Sequence, residues 1–196
     1  ITKSSNAGLS FGNIIPFTSG FGADPCDCCP DTILIQHDTI VVDYRNAISN
    51  VRDLRAGISF NGGNTFSQIC NIDTNNWVIA NCPSSGAQSI LLGDTLVSVY
   101  MNGLGAKTCY LSAYLLSQNK LLYEKPLFPI AMSGAENNAR IVSSGDTIAV
   151  VWEKSIGGAK NILFTYSASG PSGLCQQIDT FSKTMMSDNC INPDVA

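Results

Sequence analysis

An all-β fold of repeated four-stranded antiparallel units is what this sequence predicts, on three observations. One seven-residue pattern occurs three times, as Asp38-Thr-Ile-Val-Val-Asp-Tyr44, Asp94-Thr-Leu-Val-Ser-Val-Tyr100 and Asp146-Thr-Ile-Ala-Val-Val-Trp152, with starts 56 and 52 residues apart. Charged residues make up only 13% of the chain against 44% apolar, about half the usual charged share; polarity rests on Ser, Thr and Asn. Seventeen Gly and eight Pro supply turns between closely spaced strands.

Each copy of the pattern is rich in β-branched or aromatic residues and follows a turn, so each reads as a strand. A shorter strand precedes each copy, at 32–36, 87–92 and 139–142. A polar loop and a third strand follow, at 54–59, 108–114 and 161–167. A fourth, outer strand closes each unit near 65–69, 121–125 and 174–178. Four antiparallel strands in about 54 residues is the size of a β-propeller blade. The single domain 1–196 then holds blades at about 24–79, 80–133 and 134–186, the tail of another at 1–23 and the start of the next at 187–196. A lone blade cannot bury both faces of its sheet, so neighbours must stack on it. The chain is therefore expected to be an incomplete part of a six- or seven-bladed ring, with further blades from the same polypeptide or from a partner chain. The competing expectation is a β-sandwich with incidental repetition.

Two turn segments align without a gap: Ser4-Ser-Asn6-Ala-Gly8-Leu-Ser10-Phe11 and Ser59-Phe-Asn61-Gly62-Gly63-Asn-Thr65-Phe66. Asn6 and Asn61 can cap their own turns, Gly8 and Gly63 can take positive φ, and Phe11 and Phe66 are expected to plug the hairpin base between sheets. With these segments the sequence resembles the sialidase-like proteins that carry BNR, or Asp-box, repeats. It resembles especially a bacterial branch with a Cys-x-Cys-Cys-Pro segment, here Cys26-Asp-Cys28-Cys29-Pro30, and a later Ala80-Asn-Cys82-Pro83-Ser-Ser85-Gly86. Tyr44-Arg45-Asn46 and Val51-Arg52-Asp53 extend the likeness, which is best over residues 24–100. Asn6 and Asn61 stand where the family's box has Asp, the unit after has no box, and the last keeps only Ser167-Ala-Ser-Gly170. The resemblance implies a six- or seven-bladed propeller. Enzymes of that superfamily carry an arginine triad, one of it in an Arg-Ile-Pro segment, an Asp acid/base and a Tyr–Glu nucleophile pair. No Arg-Ile-Pro occurs in this chain, a segment expected upstream of residue 1, so the resemblance by itself does not establish sialidase activity.

If the box hairpins occupy one rim, the connections into first strands and between second and third strands occupy the other. Segments 26–31, 44–53, 81–86, 101–107, 134–140 and 153–159 gather there. Arg45 and Arg52 could clamp the carboxylate of an acidic sugar, with Tyr44 and Arg140 as further ligand-binding candidates. Asp53, with Glu136 or Glu153 as its counterpart, could supply acid/base chemistry if burial raised its pKa. Against this, Arg52 and Asp53 also read as loop-bracketing salt-bridge formers, and Tyr44, Tyr100 and Trp152 as a packing layer.

The eight cysteines, Cys26, Cys28, Cys29, Cys70, Cys82, Cys109, Cys175 and Cys190, favour disulfides and an oxidising compartment, extracellular, cell-surface or periplasmic. One pairing joins the 26/28/29 cluster to Cys82 and another joins Cys175 to Cys190. Cys109 reads either as a buried thiol or as a partner of Cys70. Four bridges allow 105 connectivities, and spacing alone does not choose. The rival to disulfides is a metal site, because Cys26-Asp27-Cys28-Cys29 is unusually dense, although zinc normally needs four ligands at suitable spacing. No metal or cofactor is expected, and while loop Asp and Asn carbonyls could suit calcium, no EF-hand spacing occurs. A net charge of −4 with scattered basic residues argues against nucleic acid. His37, the only histidine, falls in a turn, which leaves no Ser-His-Asp arrangement. No strand–Gly loop–helix unit for a nucleotide occurs, and no apolar run is long enough to cross a membrane as a helix. The leading expectation is a non-catalytic secreted or cell-surface propeller module that binds glycans or proteins. A sialidase-like glycoside hydrolase and a structural subunit of an extracellular complex are the alternatives.

Overall fold

The structure, a computed structural model, describes residues 1–18, 21–127, 134–156, 159–174, 179–181 and 191–196. Its strands form three separate antiparallel sheets, each a four-stranded meander in chain order. The first holds β1 (Thr32–Gln36), β2 (Thr39–Arg45), β3 (Leu54–Ser59) and β4 (Gln68–Asn71). The second holds β5 (Ala87–Leu92), β6 (Thr95–Asn102), β7 (Thr108–Leu115) and β8 (Lys120–Pro126). The third holds β9 (Glu136–Ser144), β10 (Thr147–Ile156), β11 (Ala159–Ser167) and β12 (Asp179–Phe181). Among the described residues there is no α-helix, only the 3₁₀ turns Ile48–Asn50 and Pro171–Gly173.

The repeated Asp-Thr motif has one structural meaning in all three sheets. Each first hairpin closes over two residues, with Gln36 opposite Thr39, Leu92 opposite Thr95 and Ser144 opposite Thr147. The first turn residue is left-handed each time: His37 at φ +54°, Gly93 at +58° and Gly145 at +58°. His37 therefore fills an exposed turn position that glycine fills elsewhere. The aspartate carbonyl that follows ties this hairpin to the next one. Asp38 O accepts from Gly62 N at 2.8 Å, Asp94 O from Leu116 N at 3.0 Å and Asp146 O from Gly170 N at 3.1 Å.

The two Ser-x-Asn-x-Gly turns share one hydrogen-bond pattern. Ser59 Oγ accepts from Gly63 N at 2.9 Å, and Ser4 Oγ from Gly8 N at 2.8 Å. Asn61 Oδ1 accepts from Thr65 N at 3.0 Å, and Asn6 Oδ1 from Ser10 N at 2.9 Å. Each amide also donates Nδ2–H to the following hydroxyl, Thr65 Oγ1 or Ser10 Oγ, at 2.8 Å. Ser167-Ala-Ser-Gly170 retains one such bond, Ser169 N to Ser167 Oγ at 3.2 Å. Asn61→Ala leaves the Asn64 and Thr65 amides without their acceptor, at a cost of about 1–2 kcal/mol. Asn61→Asp keeps the acceptor and should unfold within about 0.5 kcal/mol of the wild type. Urea midpoints of the two variants check this.

Three of the expected boundaries are corrected. β4 begins at Gln68 rather than 65, because Thr65 is held in the hairpin by Asn61. β9 begins at Glu136, three residues earlier than expected, where Glu136 N already bonds Lys107 O. β12 lies at Asp179–Phe181, beyond the expected 174–178, of which 175–178 fall outside the described residues. The start of a further strand at 187–196 is not seen over 191–196, and the rest of it falls outside the described residues.

The sheets stack face to face. Val41, Leu54, Ala56 and Ile58 of the first pack with Leu96, Tyr100 and Tyr114 of the second. Val97, Val99 and Leu111 of the second pack with Ile141, Ile148, Val150 and Trp152 of the third. At roughly 1.5–3 kcal/mol per fully buried large apolar side chain, these two interfaces are the main stabilisation. Residues of 1–23, including Phe17 and Phe21, cover the other face of the first sheet around Ile40, Val42 and Phe66. Phe66 plugs its hairpin as expected. Phe11 does not: it is 64% exposed, because residues 1–18 form no strand for it to pack on.

Candidate functional site

Connections from all three units meet at one rim. Cys26 N bonds Arg45 O at 2.7 Å, Arg52 N bonds Trp77 O at 2.7 Å and Ile79 N bonds Asn50 O at 3.0 Å. Isolated bridges join Pro25 to Asn46 and Val51 to Val78. Gly86 permits a close approach of two connections, since a Cβ there would lie 1.9 Å from Pro30 O. The first strands adjoin in order. Thr32 Oγ1 donates to Ala87 O at 2.9 Å, joining β1 to β5, and Ile141 N donates to Gln88 Oε1 at 2.8 Å, joining β5 to β9.

Two clefts open on this rim. One, of about 230 Å³, lies between the first strands and is lined by Thr32, Ser85, Gln88, Asn138 and Arg140 among others. Arg140 is half-buried, and its hydrogen bond runs from Nη1 to Ala139 O at 3.1 Å. Most of its planar fork of donors therefore remains for an anionic or polyhydroxyl ligand. The other cleft, of about 290 Å³, lies between the 46–53 loop and the 71–76 turn and is lined by Asn46, Asp53, Arg55, Asp73 and Asn76 among others.

Several sequence-derived site residues have other duties. Arg45 is fully buried. Its Nε, Nη1 and Nη2 donate to the carbonyls of Ser85, Arg52 and Met101 at 2.6, 2.5 and 2.8 Å, and it lies 5.5 Å from the Trp77 ring centroid. Arg52 instead reaches Ile79 O at 3.4 Å and Asn50 Oδ1 at 3.5 Å. The expected carboxylate clamp is therefore not assembled, because Arg45 is turned into the protein to satisfy main-chain carbonyls. Tyr44 is buried against Phe17, ring centroids 5.4 Å apart, so it packs the core and offers no sugar platform. Tyr100 and Trp152 are buried in the same way.

The three carboxylates proposed for acid/base work are each engaged. Asp53 accepts from Asn76 N at 2.8 Å and Trp77 N at 2.9 Å, which fixes the connector; burial, then the Asp73 charge, raises its pKa. Glu136 bridges Lys154 Nζ at 3.0 Å and Cys109 N at 2.8 Å in the interior. Glu153 is buried, which by itself raises its pKa. The Asn192, Asn138 and Lys160 donors outweigh that and hold it below the usual glutamate range, so it suits a permanent anion better than a general acid.

Two polar residues escaped the sequence reading. Asp73 accepts from Asn75 and Asn102 and lines the larger cleft; within Asn71-Ile-Asp-Thr-Asn-Asn76 it passes for ordinary turn composition. Asp43 is buried, and Ser89 Oγ donates to its Oδ2. Its signal was legible: the aligned positions in the other repeats are Val99 and Val151.

The cysteine cluster lies beside the smaller cleft. Cys28 and Cys82 form a disulfide. Cys26 Sγ is 3.3 Å from both Cys28 Sγ and Cys29 Sγ. Cys70 and Cys109 are buried free thiols, so the alternative Cys70–Cys109 bridge is not formed; each packs in a different inter-sheet core. Cys175 and Cys190 fall outside the described residues.

Fold and rim define an all-β protein of stacked four-stranded antiparallel sheets with polar clefts at one end. No family model matches the chain, and no curated protein does. Among solved structures the chain is similar to Bacteroides ovatus Xyloglucan PUL GH43B, with a TM-score of 0.51 and 9% identity over 82% of this chain and 30% of that one. The chain thus spans less than a third of that structure's length, and at this identity the likeness concerns the fold.

Proposed function

We propose that the chain is part of a β-propeller of the sialidase-like, Asp-box type, and that it serves as a non-catalytic glycan-binding module outside the cell. The propeller reading is supported by three separate sheets stacked face to face in chain order and by the fold likeness to a glycoside hydrolase propeller. The shared bond pattern of the Ser4–Ser10 and Ser59–Thr65 turns supports the Asp-box assignment. Ile33 and Ile35, 52% and 70% exposed on β1, mark a face that a further blade or a partner chain would cover. The Cys28–Cys82 disulfide supports an extracellular setting, and among the described residues no helix is long and apolar enough to cross a membrane.

The single observation that carries the binding reading is the cleft where β1, β5 and β9 converge, with Arg140 among its lining side chains. A guanidinium among Thr, Ser, Gln and Asn suits an acidic sugar: it pairs the carboxylate while the neutral groups meet hydroxyls. The non-catalytic part rests on Asp53, Glu136 and Glu153 all being held by internal donors. Titration with a uronic-acid-containing oligosaccharide and its carboxyl-reduced counterpart tests this. The acidic form should bind, and Arg140→Ala should weaken it by about tenfold or more, the equivalent of about 1.4 kcal/mol. Equal binding of both forms would sink the proposal. Turnover of a fluorogenic sialoside would favour the hydrolase reading instead.

A further inference from the structure

Four sulfur atoms drawn from two connections converge beside the rim. The Sγ atoms of Cys26, Cys28, Cys29 and Cys82 all lie within 4.8 Å of one another. Cys26 and Cys29 are buried, Cys28 and Cys82 exposed. A tetrahedral zinc ion with metal–sulfur bonds of about 2.3 Å sets its thiolates about 3.8 Å apart, which is the scale of this cluster. The backbone supports such a centre: Cys29 N bonds Cys26 O at 3.2 Å in a tight turn, and Ser84 N donates to Cys82 Sγ at 3.3 Å.

A second observation points to an anionic centre at this place. Arg45 is a fully buried cation, yet no carboxylate among the described residues lies within ion-pair distance of it. Its hydrogen bonds all go to carbonyls. It is tied to both connections that carry the cluster: Arg45 O accepts from Cys26 N at 2.7 Å and Arg45 Nε donates to Ser85 O at 2.6 Å. Burying an unpaired guanidinium is costly, and an anionic centre formed by these sulfurs would lie beside it.

We propose that Cys26, Cys28, Cys29 and Cys82 form a tetrathiolate site for a zinc-class divalent cation when the Cys28–Cys82 bond is reduced. Reduction by a phosphine consumes one water, gives the phosphine oxide and leaves two thiols. The ion then replaces four thiol protons, and the resulting site carries two net negative charges, next to the Ser84 N–H that already donates to Cys82 Sγ and to the connection that the buried Arg45 holds. Cys28 and Cys82, being exposed, are free to part and close around the metal, while Cys26 and Cys29 are fixed by their turn. The disulfide and the tetrathiolate are two closed states of the same four sulfurs. The proposal does not rest on the glycan reading, although Ser84 and Ser85 border both the cluster and the cleft.

The test uses the full chain, reduced with a phosphine under argon, desalted and titrated with cobalt(II). One equivalent should produce the thiolate-to-metal charge-transfer band and the intense visible absorption of tetrahedral thiolate cobalt, and zinc should then bleach both. Cys70→Ser and Cys109→Ser should keep the spectrum, whereas Cys26→Ser and Cys82→Ser should lose it. Cys82 is exposed, so its variant reports on ligation without disturbing the interior, and circular dichroism of each variant checks the fold. A reduced wild type that takes up no stoichiometric cobalt overturns the proposal, as does a Cys82→Ser protein that keeps the spectrum.

Discussion

Asp43→Asn should remove a stability loss that the wild-type protein suffers as pH rises from about 4 to about 7. Asp43 stands mid-strand in β2, between the first and second sheets. Its Oδ2 accepts from Ser89, which is itself 2.7 Å from Ser98 Oγ, while Oδ1 finds no hydrogen-bond partner among the described residues. Burial pushes its pKa up from 3.8 to about 7; the Ser89 hydrogen bond opposes this only in part, and the nearby Asp31 charge adds to it. The sign follows from proton counting. Between pH 3.8 and about 7 the folded chain keeps a proton that the unfolded chain has released, so folding weakens as pH rises through that window. Below it the full contribution is present, and above it the loss is complete. A shift of three pKa units corresponds to about 4 kcal/mol, a large share of a typical domain's stability. The amide is neutral and nearly isosteric, so its unfolding free energy should be flatter across the window and higher than the wild type's at pH 8. Urea titrations at pH 4, 6 and 8 decide it; parallel curves for the two proteins would show that Asp43 is not the group responsible.

Arg45→Met should be the most damaging conservative-volume substitution in the chain. It removes the shared donor of the Ser85, Arg52 and Met101 carbonyls, and each buried acceptor left unpaired costs about 1–3 kcal/mol. Relief from desolvating the guanidinium offsets part of this, leaving a net loss of about 3–6 kcal/mol. Arg45→Lys should recover only a fraction, because an ammonium cannot present three donors in the plane that reaches carbonyls of three separate segments. Thermal melts of the oxidised proteins measure both. If Arg45→Met melted within about 1 kcal/mol of the wild type, the guanidinium would not be holding the rim together.

These two residues show where sequence reading reached and where it stopped. Asp43 was visible as a carboxylate in a strand position that holds valine in both other repeats, but its value depends on Ser89 across a sheet interface. Arg45 was singled out correctly as unusual and given the wrong task. Sequence shows that a guanidinium follows a strand; it does not show that the side chain turns inward to carbonyls of residues 52, 85 and 101. Glu136 and Glu153 were separated from solvent for the same reason. Their partners Lys154, Lys160 and Asn192 come from strand pairing and a terminal segment that no local pattern foretells. Arg140 was named only as a rim candidate; that it lines the cleft between the first strands follows from the pairing of β9 and its neighbours.

What the sequence settled alone was local and periodic: approximate strand positions, a turn ahead of each Asp-Thr strand and the Ser-x-Asn-x-Gly turns. Backbone sterics and side-chain-to-main-chain bonds over a few residues dictate these, so the information is contiguous. The joining of the 26/28/29 cluster to Cys82 was also an expectation of the sequence; tertiary structure alone decided which of the three cysteines bonds Cys82, the inward turn of Arg45, the buried state of Asp43 and the opening of two polar clefts. Those depend on which sheet faces meet, and the contacts that decide them join residues 40 and 46 positions apart.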